Sequence, residues 1–262
     1  MKKQNIVAVI PARLASSRFP NKPLAKILGL PMVGHCYFRA KMSGLLDEVY
    51  VATCDRGIAG YIESVGGRAI MTKDTHQRAS DRTAEAVGKI ERRSGKRVDI
   101  VVMIQGDEPM VTPEMIDSAV EPLLKDKRVQ VVNLMSELKS IREQEDPNEV
   151  KVVVDLESNA LYFSREPIPS RKKGASGIKA LKQVCIIPFR RDFLFKYLEL
   201  APTPLEIIES VDMNRILEHG FKVKMVYTDY QTYAVDTLED LRFVEKKMRR
   251  DPLLRHYLRN ES

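Results

Sequence analysis

Two short stretches of the 262-residue chain carry residue types in patterns that can do chemistry. The first, AVIPARLASSRFPNKPL at residues 8–24, ends an apolar run at Pro11 and then carries Arg13, Ser16, Ser17, Arg18 and Lys22 with no acid among them. Arg13 and Lys22 flank a proline-stiffened turn, a spacing that lets two cations close on a polyphosphate while the serines and loop amides hydrogen-bond it. A solvated basic loop has the same composition, and charge alone does not choose between the two. The second stretch, VVMIQGDEP at residues 101–109, delivers Gln105, a tight Gly106 and then Asp107 and Glu108 from an apolar strand. A carboxylate there serves as a helix cap or as a ligand for a hard metal, and Pro109 and Pro113 keep the cap open. Magnesium takes one or two carboxylates plus phosphate oxygens, which is what Asp107 beside a cationic phosphate loop would offer.

Further candidates are weaker. Asp236 in YAVDTLEDL can cap the helix that follows, with Glu239 closing a capping box, and the residues alone favour that reading over a second metal carboxylate. YFSREPIP offers Arg165 to an anion, and PLEIIESVDMNR spaces Glu206, Glu209, Asp212 and Arg215 along one helical face, with a surface ion-pair array as the plain alternative. No GxxxxGK[ST] loop is present, and no GxGxxG follows a strand. His35, His76, His219 and His256 are scattered and receive no catalytic role, and Cys36, Cys54 and Cys185 lie in no disulfide or zinc spacing.

The elements that must position these groups alternate in type. NIVAVIP, EVYVATC, GRAIMT and DIVVMIQ are short and rich in Val and Ile, and helical patterning fills residues 31–43, 56–65 and 80–91 between them. That alternation predicts a doubly wound, mostly parallel α/β sheet, in which ligands bind beyond the carboxyl ends of the strands. The loops after Ile10 and Ile104 then open on one edge. Later, PEMIDSAVEPLLKD reads as a helix, QVVNLMS as a strand, and NEVKVVVDLESNALYFSR as two strands about a polar turn, so the sheet becomes mixed. APTPLEIIESVDMNRILEHG reads as one helix opened by prolines and closed by Gly220. A single domain over 1–262 is expected, with an excursion at about 166–190.

Composition bounds the rest. A formal net charge of +7 invites a nucleic-acid partner, but the excess gathers in SRKKG and in the tail EKKMRRDPLLRHYLRN, which reads as a solvated terminal helix broken by Pro252. No nucleic-acid motif accompanies it. No apolar run approaches the roughly 18 residues of a membrane span, and the start enters a strand-like run rather than a signal-peptide core, so a cytoplasmic protein without a membrane partner is expected.

Taken together, IPAR, KPL, MTKDTHQRASDR, QGDEPM, NEVKVVVD, ALYFSREPIP, PLEIIE and VDTLEDL, in that order from about residue 6 to 248, resemble the 3-deoxy-manno-octulosonate cytidylyltransferases, the CMP-Kdo synthetases. The resemblance implies a Rossmann-like nucleotidyltransferase fold whose smaller excursion helps form a homodimer, and a reaction of CTP with a small acidic sugar in the presence of Mg2+. It implies that Arg13 and Lys22 hold the triphosphate, in a loop that includes Ala12, Ser16, Ser17 and Arg18. Gln77, Arg78, Ser80, Asp81 and Arg82 would lie beside cytosine and ribose. Gln105 would serve nucleotide and sugar, Asp107 and Asp236 would bind magnesium, and Arg165, Gln183, Glu206 and Glu209 would face the sugar. Arg13, Lys22, Asp107 and Asp236 form the implied catalytic set.

The chain departs from the family at two blocks. Where the family reads His-Leu-Gly-Ile-Tyr-Gly-Tyr-Arg, this chain reads QVCIIPFR, placing Gln183 and Ile187 at the polar sugar contacts His and Tyr. The base-side block is QRASDR, with Arg78 and Ala79 at two small-residue positions, and Asp212, Met213, Asn214 and Arg215 replace Glu-Gln-Leu-Arg. The asymmetry implies the same reaction on a changed acceptor, such as an amino-bearing relative. A nucleotidyltransferase for a phosphorylated acceptor, bound through SRKKG, and a nonenzymatic nucleotide-binding relative are the alternatives. Retention of both Asp107 and Asp236 argues against the second.

Overall fold

The computed structural model describes residues 3–15, 19–170 and 179–258. Ser16, Ser17 and Arg18 lie outside the described residues, as do positions 171–178 of the expected excursion. The chain divides into two compact units, residues 1–117 with 232–262 and residues 118–231.

The first unit contains β1 (Ile6–Ala12), a hairpin of β2 (Lys26–Ile27) and β3 (Leu30–Pro31), α1 (Met32–Ala40), β4 (Glu48–Thr53), α2 (Arg56–Ser64), β5 (Ala69–Met71), α3 (Ala79–Ser94) and β6 (Ile100–Ile104). Its sheet runs in the order β6-β1-β4-β5 with every pairing parallel, Ile6 opposite Ile100 and Val7 opposite Glu48. Strands covered on both faces need apolar residues at every position, and β6 is buried throughout. The β2–β3 turn is Leu28–Gly29, both at positive φ (50° and 92°), the combination that matches strand twist in a two-residue hairpin. The strands and helices foreseen from alternation all form, shifted by up to three residues at their ends.

Returning to this unit, α9 (Leu238–Met248) packs Val244 and Met248 against Ile27, Leu30 and Met32. The expected solvated tail is corrected here. After a one-turn 3-10 segment at Pro252–His256, the Tyr257 ring is buried and its hydroxyl accepts from Arg39 Nε at 3.0 Å. Arg39, itself fully buried, also pairs with Asp251 at 2.6 Å. The His35 Nε2–H donates to the Ile27 carbonyl, which leaves Nδ1 to accept from the Tyr257 hydroxyl at 2.8 Å. A buried guanidinium and imidazole thus give the tail its partners, and the charged residues around Tyr257 concealed them.

The boundary between the units falls within α4 (Pro113–Lys125). The second unit then contains β7 (Val132–Glu137), α5 (Ile141–Glu145), β8 (Lys151–Val154), β9 (Ala160–Ser164), β10 (Leu181–Val184), β11 (Ile186–Arg190), α6 (Arg191–Glu199), α7 (Pro204–Glu209), α8 (Asp212–Glu218) and β12 (Lys224–Tyr227). Its sheet runs β12-β7-β10-β8-β9, parallel only between β12 and β7. Most of the later strands, β7 to β10 and β12, therefore form a second sheet of mixed character. The single helix expected within residues 201–220 is two helices, because Ser210 takes a left-handed conformation (φ 52°) and ends α7.

Candidate active site

In the first unit, a cleft of about 380 Å³ lies at the carboxyl ends of β1 and β6. Ala12, Arg13, Lys22, Gln77, Arg78, Arg82, Gln105, Asp107 and Asp236 line it, together with Pro11, Ala15, Pro23, His76, Ala79 and Gly106. The two sequence stretches singled out for their chemistry thus meet in one place, as parallel strand ends require. Gly106 is needed for the approach, since a Cβ there would sit 3.2 Å from the Pro11 carbonyl oxygen.

The centre of the cleft is an ion triad. Lys22 Nζ donates to Asp107 Oδ2 at 2.8 Å and to Asp236 Oδ1 at 3.0 Å. Burial works against the Lys22 charge, but the two carboxylates outweigh it and hold its pKa above the ordinary lysine value. The helix-cap readings of both acids are corrected. Thr237 is the N-cap of α9, its hydroxyl accepting from the Asp240 amide while Asp240 accepts from the Thr237 amide, so Asp236 precedes the cap and Glu239 closes nothing. At α4, Thr112 Oγ1 accepts from the Met115 amide, and Asp107 lies well upstream. Asp107 and Asp236 are instead joined through the backbone, Val235 N–H donating to the Asp107 carbonyl at 2.9 Å. Two hard oxygens converging on one cation suit a magnesium ion that keeps waters and phosphate oxygens as its other ligands. Among the described residues no group of three or more His, Cys, Asp or Glu could form a dedicated cage.

The opposite wall comes from the turn before α3 and its start. Arg82, only 3% exposed, donates from Nη1 to Thr72 Oγ1 (2.5 Å) and to the Lys73 carbonyl (3.2 Å), while Nη2 is buried without a hydrogen-bond partner among the described residues. A buried N–H donor without a partner at a cleft wall marks a place for an acceptor on a ligand. Arg13 Nη1 reaches the His76 carbonyl at 3.4 Å, and the His76 ring pairs with Glu85 at 2.5 Å. Composition gave no role to His76; its place directly before Gln77, after a strand, was the available signal. Ser80 and Asp81 occupy the first turn of α3, Ser80 fully buried, and neither lines the cleft.

In the second unit the acids of residues 204–215 diverge. Glu206 is fully buried and forms a two-point ion pair with Arg215, 2.6 Å at each oxygen, so the surface array and the shared helical face are both corrected. Glu209 accepts from the Tyr162 hydroxyl (2.7 Å), the Ser164 hydroxyl (2.9 Å) and the Arg165 amide (2.7 Å). Despite burial, these donors hold Glu209 below the usual carboxylate pKa, while burial and the Glu209 charge push Tyr162 up to about 12. Arg165 directs Nε to the Glu209 carbonyl (2.6 Å) and Nη1 to the Pro147 carbonyl (2.7 Å). Gln183 is half-buried and Ile187 is 3% exposed.

Comparison with known proteins agrees with this architecture. The cytidylyltransferase family model matches residues 7–226. A 3-deoxy-manno-octulosonate cytidylyltransferase of Geobacter metallireducens is 43% identical over 255 residues, covering 94% of this chain and 98% of that protein. One of Geotalea uraniireducens is 41% identical over 255 residues, covering 94% and 99%. A solved structure of CMP:2-keto-3-deoxy-manno-octonic acid synthetase complexed with CTP superimposes with a TM-score of 0.87 at 36% identity, covering 95% of this chain and all of that one (100%). The expected Rossmann-like nucleotidyltransferase fold is borne out. By the extent of the match, by its fold and by its similarity to the 3-deoxy-manno-octulosonate enzymes, the chain belongs to the cytidylyltransferase family and is a nucleotidyltransferase.

Proposed function

We propose that this enzyme couples CTP to a 3-deoxy-2-ulosonic acid sugar, 3-deoxy-manno-octulosonate or a modified relative, giving a CMP-sugar and pyrophosphate. The observation that carries the reading is the meeting of Lys22, Asp107 and Asp236 beside Arg13 in the first unit's cleft. The relatives' names supply the nucleotide and the acceptor class.

The anomeric hydroxyl of the sugar attacks the α-phosphorus of CTP; the new P–O bond forms as the bond to the β-phosphate breaks, and the hydroxyl proton passes to solvent. Catalysis is positioning and charge neutralisation, without a side-chain base. Arg13 and Lys22 offset the charge of the departing pyrophosphate, with Ala12, Ser16, Ser17 and Arg18 completing the loop. Gln77, Arg78 and Arg82 Nη2, without a partner among the described residues, meet the nucleoside, and Gln105 stands between nucleotide and sugar. Ser80 and Asp81 support that wall from the first turn of α3. Asp107 and Asp236 would hold Mg2+, which when bound polarises phosphate oxygens. Arg165 and Gln183 are assigned to the sugar. Glu209 acts by fixing the turn that carries Arg165, and Glu206 by holding Arg215.

A homodimer and a cytoplasmic location complete the proposal; no helix among the described residues is long and apolar enough to cross a membrane. Calorimetric titration tests the nucleotide half. Lys22→Ala weakens CTP far more than CMP, because only the triphosphate presents β- and γ-phosphates to that cation. Equal weakening of both nucleotides would place Lys22 elsewhere.

A further inference from the structure

Asn133 belongs to no motif noted in the sequence, yet it is fully buried on β7 and carries an amide whose orientation is determined. Its Nδ2 lies 2.6 Å from the Val184 carbonyl oxygen and 3.1 Å from that of Leu134. Both neighbours are acceptors only, so the group facing them must be the NH2; an amide turned the other way would set oxygen against oxygen twice. Asn133 Oδ1 is then left as the acceptor, and it receives Gln183 Nε2 from β10 at 2.5 Å. The constraint passes along the pair. Gln183 must present nitrogen to Asn133, which leaves its Oε1, on a half-buried side chain, as the end of the amide that Asn133 does not hold.

By the resemblance noted in the sequence, Gln183 occupies the position of a sugar-contacting His, the place assigned to it in the proposed reaction. A neutral imidazole there is a donor or an acceptor according to its tautomer, whereas Gln183 held by Asn133 offers a carbonyl oxygen. Ile187, at the position of the Tyr, brings no polar atom. We infer that Asn133 is a positioning residue for acceptor specificity: it holds the Gln183 nitrogen and leaves the oxygen as the end available to the acceptor sugar, which must then bring an O–H or N–H donor, a hydroxyl or an ammonium group, to that point. The inference rests on the proposed coupling of CTP to a sugar acid.

The test compares kcat/KM for 3-deoxy-manno-octulosonate and for analogues in which one tail hydroxyl at a time is replaced by an amino group or by fluorine, which is similar in size but cannot donate. At one position the wild type uses hydroxyl or amino acceptors and loses about tenfold on the fluoro analogue, the worth of one such hydrogen bond. The amino arm shows which donor is preferred. In Gln183→Leu that ratio collapses towards one, at that position alone, with KM for CTP unchanged. In Asn133→Ala it narrows while Gln183 is still present, because the freed amide can turn and relieve the repulsion between its oxygen and fluorine; a merely structural role would lower all acceptors alike. Should Asn133→Ala fail to fold, Asn133→Leu, close in volume and unable to orient Gln183, is read in the same way, and a ratio left at the wild-type value in either Asn133 variant overturns the positioning role. Fluoro analogues used as well as hydroxyl ones at every position, or a ratio that survives Gln183→Leu, overturns the inference alone. A wild type that forms no CMP-sugar from any acceptor overturns the coupling reading and this inference with it.

Discussion

Replacing Lys22 by Met keeps most of the side-chain volume and removes the ammonium that bridges Asp107 (2.8 Å) and Asp236 (3.0 Å). The two carboxylates then face each other with oxygens about 6 Å apart or closer, and at effective dielectric constants between about 20 and 80 their repulsion is about 1–3 kcal/mol. Side-chain exposures of 25% and 21% admit solvent screening, which places the cost at the lower end, about 1–2 kcal/mol. For a chain of this size that corresponds to a fall in Tm of roughly 2–6 °C. Millimolar Mg2+ supplies the missing charge. Without nucleotide, therefore, the Lys22→Met variant regains stability with MgCl2 but not with KCl of equal ionic strength, whereas the wild type, whose carboxylates already share an ammonium, responds little. Thermal unfolding followed by circular dichroism reads all four conditions. A variant as stable as the wild type, or one that gains equally from KCl, would refute the claim that these acids form a divalent-cation site guarded by Lys22.

Asp236→Asn abolishes turnover with almost no change in stability, while Thr237→Ala loses about 1 kcal/mol and keeps turnover; the opposite pattern would restore Asp236 to a capping role. His35 is held neutral by burial, its pKa lowered to about 4, so the unfolded chain binds the extra proton below its own pKa near 6.5. Its contribution of about 3 kcal/mol is complete above pH 6.5 and is lost as the pH falls towards 4, a slope seen in urea unfolding that a His35→Gln variant should lack. Glu206→Gln leaves the buried Arg215 charge without its counter-ion and costs about 3 kcal/mol by the same measurement. A loss under 1 kcal/mol would show the pair to be solvated.

The parallel sheet was legible because β1, β4 and β6 are covered on both faces and so appear as unbroken apolar runs, and the acid and cation loops were legible because each follows such a run directly. The capping of α9 was not. Asp236 and Thr237 are both good caps with an acid three residues on, Glu239 for one and Asp240 for the other, and only backbone geometry selects the second. The break at Ser210 was hidden for a different reason: a non-glycine residue in a left-handed conformation leaves no mark on composition, and the apolar period runs through it. Likewise Asn133 and Arg39 are polar residues made tolerable by partners far away in sequence, Gln183 for one and Asp251 and Tyr257 for the other, and long-range pairs of that kind carry no local pattern. The tail containing Tyr257 was misread as solvent-facing on account of its charge.

The central claim is chemical coupling at the Lys22, Asp107 and Asp236 cleft. It is tested most directly by pyrophosphate release with CTP and Mg2+ against a panel of 3-deoxy-ulosonic acids, sialic acids and sugar phosphates, with the CMP-linked product identified by mass. Release dependent on CTP and on a 3-deoxy-ulosonic acid, and abolished by Asp107→Asn, is the predicted result. Release with sugar phosphates only, or none with any acceptor, would contradict the account.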